Sequence, residues 1–281
     1  MHSKIAEDVQ NVQEIRCAIL THGGSGSDST ESDGTKSAAG MGMKSMANGN
    51  SALEAVVQAT RSLEVDPRFN AGIGSELRAD GKTMQLDASC MTSRGEFGSV
   101  GAVEGVQNPI DIAKGVLLHS PHILIVGDGA RIFAKEHNIP MITLSFSDAR
   151  KSSDSQEHSF CDTVGAVAFD GTMFAAALSS GGLGKSALGR IGDVPFPGCG
   201  LFCGPAGAVA CTGDGEFIAL KLLAREVYGM IEDNLSPSEA TDKALNMFDV
   251  SVDVGLIVLT KNGFASKARD GMAWSHITEV R

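Results

Sequence analysis

Thr163 stands where a polar stretch of the chain gives way to an apolar one. Residues 147–160 are rich in Ser, Asp, Lys and Gln, whereas Val164–Phe169 has the composition of a buried strand. A threonine hydroxyl inside a chain is a weak nucleophile that needs a neighbouring base. Cleavage between Asp162 and Thr163 would create that base, because a free α-amine has a pKa of about 8. One residue would then supply nucleophile and base, although a threonine here can also simply start a strand.

Two later segments carry hydroxyl groups and glycines that suit the same chemistry. Ser180 follows the second strand of a predicted hairpin, which returns its hydroxyl to the start of the first strand beside Thr163. Thr212 and Gly213 lie between a predicted strand and a predicted helix. A hydroxyl and a backbone N–H at that place can form an oxyanion hole, which the helix dipole strengthens. Each motif alone is common in turns, and it is their joint order that favours a hydrolase.

Residues 189–193 place a cation and an anion three positions apart between glycines. Arg190 can hold a carboxylate through two hydrogen bonds, and Asp193 can bind an ammonium group. Together they would recognise the zwitterionic end of an amino acid. A solvated salt bridge is the ordinary alternative for such a pair.

The elements before Thr163 predict an α/β pattern. Residues 25–49 have weak periodicity and are predicted to form a mobile loop with a short helix near its end. The predicted strands are 16–21, 122–126 and 141–146, and the predicted helices are 51–63, 109–118 and a helix capped by Asp128 that runs to about residue 137.

The elements after Thr163 predict paired strands with helices between them. Asp170 and Gly171 indicate a two-residue type I′ turn between strands 164–169 and 172–179. The other predicted elements are strand 208–212, a long helix 216–234, a helix 237–248 that a capping box opens, and strands 254–260 and 263–267. We expect stacked antiparallel or mixed sheets between helical layers.

The composition excludes several classes of partner. A net charge of −11 argues against nucleic acid and against an anionic membrane surface. The six cysteines form no CxxC motif, and even Cys199 and Cys203 are too isolated for a metal site, so we expect reduced, packed thiols. No segment reaches transmembrane length, and the polar N-terminus lacks the apolar core of a signal peptide, which predicts a cytoplasmic protein.

Two other site hypotheses have weaker support. Residues 126–132 resemble a dinucleotide-binding turn, but Ile132 stands where the third glycine belongs. His119 and His122 could be proposed as metal ligands, but they lack a third ligand at suitable spacing.

In their order along the chain, the motifs DTVGAVAFDG, SSGG, GRIGD and CTGDGE resemble those of the plant-type asparaginase and isoaspartyl peptidase family. These enzymes are N-terminal-nucleophile hydrolases, and the family includes the threonine aspartases. The resemblance continues upstream through THGGSG, LEVDPRFNAGIGSELRADGKTMQLDASCM, VGAVEGVQNPIDIAKGVL and HILIVGDGA, and therefore covers most of the chain. It implies an α+β fold, a four-layer αββα sandwich. It also implies self-cleavage into an α chain, 1–162, and a β chain, 163–281, which stay together as one domain and pair into a dimer of heterodimers.

The resemblance also assigns roles to individual residues, and it implies that no cofactor is required. Thr163 would be the nucleophile, Ser180 its supporting hydroxyl, and Thr212 with Gly213 the oxyanion hole. The implied substrate-binding residues are Arg190, Asp193 and Gly215, and the segments nearby are His22-Gly23-Gly24 and Asn70. In bacterial and plant members a loop of backbone carbonyls binds sodium, and the matching residues here are Leu63, Glu64, Asp66, Phe69, Ala71 and Ile73. Carbonyl oxygens suit a hard cation, although the loop can equally be held by its own hydrogen bonds.

Departures from the family pattern leave the substrate open. Asp162-Thr163 replaces the usual Gly-Thr, and Ser180 replaces the usual threonine before two glycines, as in the threonine aspartases. Gly198-Cys199-Gly200 points the same way, whereas Asp193 is the asparaginase-type partner of a free substrate amine. The first hypothesis is hydrolysis of β-aspartyl peptides or of the asparagine side-chain amide. The alternatives are an endopeptidase that cleaves polypeptides after Asp, and an unprocessed scaffold without catalysis.

Overall fold

The computed structural model describes residues 14–141 and 163–280. That part of the chain forms eleven strands in two sheets, together with seven α-helices. The strands are β1 (Ile15–Ser25), β2 (Leu86–Thr92), β3 (Phe97–Val103), β4 (Leu124–Val126), β5 (Val164–Phe169), β6 (Phe174–Ser180), β7 (Leu201–Gly204), β8 (Gly207–Gly213), β9 (Val254–Thr260), β10 (Gly263–Ala268) and β11 (Met272–Val280). The helices are α1 (Ser32–Ala47), α2 (Ala52–Glu64), α3 (Pro109–His119), α4 (Gly127–Glu136), α5 (Gly215–Lys221), α6 (Leu223–Glu232) and α7 (Pro237–Leu245).

The larger sheet has the strand order β11-β1-β5-β6-β2-β3-β4, and the smaller has the order β10-β9-β8-β7. All of the pairs are antiparallel except β3–β4, so the prediction of antiparallel or mixed sheets is confirmed. In the larger sheet β5 pairs with both β1 and β6, and β6 pairs with β2. Strands from before and after Thr163 are therefore interleaved within one hydrogen-bonded sheet.

The central strands are buried on both faces, which explains their nearly continuous apolar sequence. Along β5, Val164, Ala166 and Ala168 belong to a core shared with α1, α2 and α3. Val167 and Phe169 instead belong to a core shared with the smaller sheet. This alternation follows the two-residue period of a strand. A third core lies between the other side of the smaller sheet and helices α6 and α7.

The prediction of a mobile loop over residues 25–49 is wrong, because α1 occupies most of that segment. The buried positions of α1 are small residues such as Gly34, Ala38, Ala39 and Gly42. A Cβ added at Gly42 would lie 2.2 Å from the Cδ1 of Ile19, so the helix packs closely against β1. Such a face lacks the large apolar side chains that make an amphipathic helix visible in a sequence.

The predicted two-residue turn after β5 is also wrong. Phe169 pairs with Phe174, which leaves a connection of four residues. Asp170 Oδ1 accepts the backbone N–H groups of Thr172 and Met173, both at 2.9 Å. Its Oδ2 accepts the N–H of Ala52 at 2.8 Å, which fixes the first turn of α2 against the hairpin. The hydrogen bonds to the Asp170 side chain thus hold this four-residue connection in one conformation.

Two helix boundaries differ from the prediction. The helix predicted over 216–234 is divided into α5 and α6 at Leu222, which has a positive φ of 49°. The break lets the N–H groups of Ala224 and Arg225 donate to the carbonyls of Cys199 and Gly198 at 3.1 and 3.0 Å. Asp128 does not cap α4, because that helix already begins at Gly127.

The other predicted elements agree with the structure within a few residues. Ser51 caps α2, and Ser236 forms the predicted capping box with Glu239 at the start of α7. The predicted strand 141–146 and the polar stretch 147–160 lie, apart from Met141, outside the described residues, as does Asp162. Every helix within 14–141 and 163–280 is too short or too polar to cross a lipid bilayer.

Candidate active site

Thr163 lies immediately before β5, with 5% of its surface exposed. The register of the hairpin pairs Val164 with Ser179 and thereby brings Ser180 opposite Thr163. The hydroxyl of Thr163 donates to the Oγ of Ser180 at 3.1 Å, and that Oγ also accepts the N–H of Gly182 at 2.9 Å. The hairpin therefore brings together the two hydroxyl groups that the sequence predicted to be neighbours.

The end of β8 approaches the same point from the smaller sheet. The Oγ1 of Thr212 accepts the N–H of Thr163 at 3.3 Å and the N–H of Ser25 at 3.0 Å. The hydroxyl of Thr212 thus connects the ends of β1 and β8 to the backbone nitrogen of Thr163. This is the nitrogen atom that would become an amine if the chain were cut before Thr163.

Gly213 has a conformation that requires glycine. Its φ is 127°, and an added Cβ would lie 2.3 Å from the carbonyl oxygen of Asp253. Gly215 is equally confined, since a Cβ there would lie 2.8 Å from Oδ1 of Asp193 and 3.0 Å from Nη2 of Arg190. Gly213 thus lets β8 pass close to the backbone of Asp253, and Gly215 lets the chain pass close to the side chains of Asp193 and Arg190.

That cavity contains most of the predicted site. Thr163, Ser180, Gly213, Arg190, Asp193 and Gly215 line it, and Thr212 reaches it through its hydrogen bond to Thr163. The remaining lining residues are Asp87, Gly182, Leu183, Gly192 and Val194.

The charged pair expected from residues 189–193 is arranged differently from a simple salt bridge. Arg190 donates from Nε and Nη2 to the two carboxylate oxygens of Glu216, at 2.9 and 2.6 Å. Asp193 is 4% exposed, and its Oδ2 has no hydrogen-bond partner. Burial raises the pKa of Asp193 to about 7, against a smaller opposing effect of Arg190. A nearby positive charge favours the ionised form of a buried carboxyl group, so the Oδ2 atom could accept hydrogen bonds from a cationic ligand.

The two segments that the resemblance places near the site do lie there. His22 pairs with Gly165 across β1 and β5, and an added Cβ at Gly165 would lie 2.3 Å from Nε2 of His22. Burial lowers the pKa of His22 to about 3, so its imidazole is neutral at physiological pH. Asn70 donates from Nδ2 to the carbonyl of Gly182 at 2.8 Å, and its own carbonyl accepts the N–H of Gly181 at 2.9 Å. Asn70 thereby fixes the turn that follows Ser180.

Asp87 and Arg78 belong to the same region and were not predicted. Asp87 lies opposite Ser180 in the β2–β6 pair and accepts the N–H groups of Ala102 and Gly192 at 2.8 and 3.4 Å. Burial raises the pKa of Asp87 to about 6. Arg78 is 1% exposed and donates to Ser186 and Gln85. The signal for Asp87 was a charged residue inside the buried strand LDASCM.

The carbonyl loop after α2 contains its own hydrogen bonds. The carbonyls of Leu63, Asp66, Phe69 and Ala71 accept backbone N–H groups at 3.2, 3.3, 2.8 and 3.1 Å. Gly72 passes close to this loop, because an added Cβ would lie 2.2 Å from the carbonyl oxygen of Glu64. Each carbonyl has two lone pairs, so Asp66, Phe69 and Ala71 keep capacity for a further donor or a cation, whereas the Leu63 carbonyl also accepts the N–H of Val65.

The weaker ligand hypotheses gain no support. Among the residues that the structure describes, no group of three or more His, Cys, Asp or Glu side chains is arranged for a metal ion. The ring of His119 stacks on that of His137, with the centroids 5.5 Å apart. The described cysteines, Cys17, Cys90, Cys199, Cys203 and Cys211, are free thiols.

The chain is similar in sequence to several known proteins. The family model described as asparaginase matches residues 12–159 and 142–280. The plant-type L-asparaginase of Pyrococcus furiosus is 31% identical over 287 residues, which cover 90% of this chain and 93% of that protein. The plant-type L-asparaginase of Pyrococcus abyssi is 35% identical over 260 residues, which cover 82% of this chain and 84% of that protein. The isoaspartyl peptidase/L-asparaginase of Danio rerio is 35% identical over 269 residues, which cover 87% of this chain and 86% of that protein.

Proposed function

We propose, because the chain belongs to the asparaginase family, that it hydrolyses β-aspartyl peptide bonds and the side-chain amide of L-asparagine. The observation that carries this proposal is the contact of Thr163 with both Ser180 and Thr212, in a cavity that also contains Arg190 and Asp193. These groups provide a nucleophile, an oxyanion site and a zwitterion site within one small volume.

The first reaction in this proposal is cleavage of the chain before Thr163. The hydroxyl oxygen of Thr163 attacks the carbonyl carbon of Asp162, and the bond from that carbon to the nitrogen of Thr163 breaks as the nitrogen gains a proton. The resulting ester is hydrolysed by water, which leaves a carboxylate on Asp162 and a free amine on Thr163. Asp162 lies outside the described residues. The nitrogen of Thr163 already lies 3.3 Å from the Oγ1 of Thr212.

Turnover then repeats the same attack on a substrate. The α-carboxylate binds Arg190 and the α-ammonium binds Asp193, which directs the side-chain carbonyl towards Thr163. The free amine accepts the hydroxyl proton during attack and passes it to the departing ammonia or amine. The hydroxyl of Thr212 and the N–H of Gly213 stabilise the oxyanion. Water finally hydrolyses the aspartyl ester on Thr163 and releases aspartate.

The buried carboxyl group of Asp193, whose Oδ2 atom has no hydrogen-bond partner, favours this substrate class over the endopeptidase alternative. An aspartate inside a polypeptide has no free ammonium group to neutralise Asp193. A charged group that stays buried without a partner costs several kcal/mol. The endopeptidase hypothesis would therefore leave this side chain without a function in substrate binding.

The interleaved strands support the proposed division into residues 1–162 and 163–281. Cutting before β5 leaves its hydrogen bonds to β1 and β6 intact, since they do not depend on the broken bond. We infer that both chains remain in one domain and that the three cores separate the four layers of an αββα sandwich. The pairing of two such units, which the family resemblance implies, can be tested by measuring the mass in solution.

A sodium ion in the loop of Leu63, Glu64, Asp66, Phe69, Ala71 and Ile73 is part of the proposal. The donor set of backbone carbonyls suits a hard cation, and the hydrogen bonds within the loop leave a second lone pair on the carbonyl oxygens of Asp66, Phe69 and Ala71. Such an ion would order the loop that contains Asn70.

The mass of the purified chain tests the proposed function. We expect the wild type to separate under denaturing conditions into pieces of 162 and 119 residues, while Thr163→Ala remains whole. Thr172→Ala, in the exposed connection between β5 and β6, is the matched control and should cleave like the wild type. Cleaved wild type should release aspartate from a β-aspartyl dipeptide and ammonia from L-asparagine.

Three results would contradict the proposal. Turnover by an entirely intact chain would remove the amine from the mechanism. An intact, inactive wild type would support the scaffold alternative. Cleavage of a polypeptide after Asp, without turnover of the dipeptide or of asparagine, would support the endopeptidase.

A further inference from the structure

Glu216 binds one edge of the Arg190 guanidinium. Glu216 lies in the first turn of α5, directly after Gly215, and its side chain is 59% exposed, whereas that of Arg190 is 15% exposed. Its two carboxylate oxygens accept hydrogen bonds from Nε at 2.9 Å and from Nη2 at 2.6 Å. This is the two-bond geometry in which a carboxylate fixes the plane of a guanidinium.

A guanidinium has five N–H donors, so the Glu216 contact leaves a second edge, formed by Nη1 and the other proton of Nη2. That edge lies among glycines that line the cavity with Thr163. An added Cβ at Gly192 would lie 3.0 Å from Nη1, and one at Gly215 would lie 3.0 Å from Nη2. The Nη1 side of Arg190, which Glu216 does not contact, therefore lies against glycines of the same cavity.

A second buried cation lies close to Arg190. Arg78 is buried, and a Cβ added at Gly182 would lie 2.8 Å from Nη1 of Arg78 and 3.3 Å from Nη1 of Arg190. The two guanidinium groups thus lie near the same glycine, and their like charges repel each other. Glu216 is the carboxylate that bonds directly to Arg190 and opposes this repulsion.

We propose that Glu216 is a positioning residue for the substrate, because it holds the Nε–Nη2 edge of Arg190 so that the Nη1–Nη2 edge faces the α-carboxylate of an aspartyl substrate. The inference rests on the proposed function. In this arrangement Glu216 does not touch the substrate and does not compete with it. Its contribution is to substrate binding, which Arg190 provides equally in the ground state and in the transition state.

Steady-state kinetics of Glu216→Gln test the proposal. For a β-aspartyl dipeptide we expect KM to rise about tenfold, with kcat within a factor of two, because loss of uniform binding changes KM alone. Glu216→Asp keeps the charge and should show a smaller rise in KM. Glu226→Gln removes the same charge from the exposed surface of α6 and should behave as the wild type. The mass of each protein is measured first, so that only cleaved material is compared.

A second substrate separates positioning from a general structural effect. An analogue whose α-carboxylate is replaced by a carboxamide loses its charged contact with Arg190 in every variant. Its KM should therefore be high in the wild type and change less than twofold in Glu216→Gln. Equal rises in KM for both substrates would overturn the positioning role.

Other outcomes are also decisive. An unchanged KM in Glu216→Gln would refute the inference, and a lower KM would show that Glu216 competes with the substrate. Each of these results requires a wild type that turns over the dipeptide. If the cleaved wild type does not, the proposed function itself fails, and the inference fails with it.

Discussion

Replacement of Asp193 by asparagine should stabilise the fold at alkaline pH while it weakens substrate binding. Burial raises the pKa of Asp193 from its ordinary 3.8 to about 7. The ionised form is therefore less favourable in the folded chain than in the unfolded chain. The free energy of unfolding therefore decreases as the pH rises from about 4 to about 7, and it decreases no further above that range. At about 1.4 kcal/mol for each pKa unit, the full cost is about 4 kcal/mol.

At pH 5 the buried Asp193 carboxyl group lowers the free energy of unfolding by about 2 kcal/mol. The stability gained by Asp193→Asn over its parent should therefore grow by about 2–3 kcal/mol between pH 5 and pH 8.5. Asparagine has no charge to desolvate, but it cannot neutralise a substrate ammonium group. In cleaved protein the same change should raise KM for the β-aspartyl dipeptide at least tenfold, since it removes one of two charged contacts.

Urea unfolding measures this difference. The experiment is best made in a Thr163→Ala background, because an intact chain unfolds as one molecule at every pH. Asp233→Asn removes one carboxylate from the surface after α6 and controls for the change in net charge. A stability difference for Asp193→Asn that is the same at pH 5 and pH 8.5, or a loss of stability at pH 8.5, would refute the reasoning.

Two further predictions concern the backbone near the site. Gly213→Ala should reduce kcat at least tenfold and lower stability by about 1–3 kcal/mol, because the added Cβ would lie 2.3 Å from the carbonyl oxygen of Asp253. Thermal unfolding and turnover measure both effects, and Gly229→Ala in α6, whose added Cβ meets only a side-chain atom at 3.5 Å, is the control. If the loop from Leu63 to Ile73 binds sodium, replacing sodium by choline should lower Tm reversibly, and equal Tm values in the two salts would contradict that site.

The parts of the site that could be predicted from the sequence depend on local signals. Thr163 could be predicted because a buried strand follows it directly. The position of Ser180 could be predicted because a hairpin returns the chain to the start of that strand. The end of β8 was predictable in a similar way, since Thr212 and Gly213 are its last two residues and a helix begins at Gly215. In each case the reactive residues lie at or next to one end of a strand, and the sequence pattern predicts where that strand begins or ends.

The features that escaped prediction depend on contacts between distant segments. Glu216 binds Arg190 from 26 residues away, and Asp87 binds the N–H of Gly192 from 105 residues away. β2 was missed because Asp87 and Ser89 are polar but buried, which hides its apolar pattern. Ser89 is satisfied by donating to the carbonyl of Val194 at 2.6 Å. A single sequence shows neither the partner nor the burial.

The state of His22 bears on why Thr163 would need cleavage at all. A histidine near a nucleophilic hydroxyl usually suggests a general base. Here His22 is completely buried across from Gly165, and burial lowers its pKa to about 3. An imidazole that binds a proton so weakly cannot hold the proton of Thr163 near neutral pH. An α-amine has an ordinary pKa of about 8, and the nitrogen of Thr163 is already held in place by the hydroxyl of Thr212. We therefore expect the uncleaved chain to lack an effective base for catalysis, and the cut before Thr163 to create one without moving any other side chain.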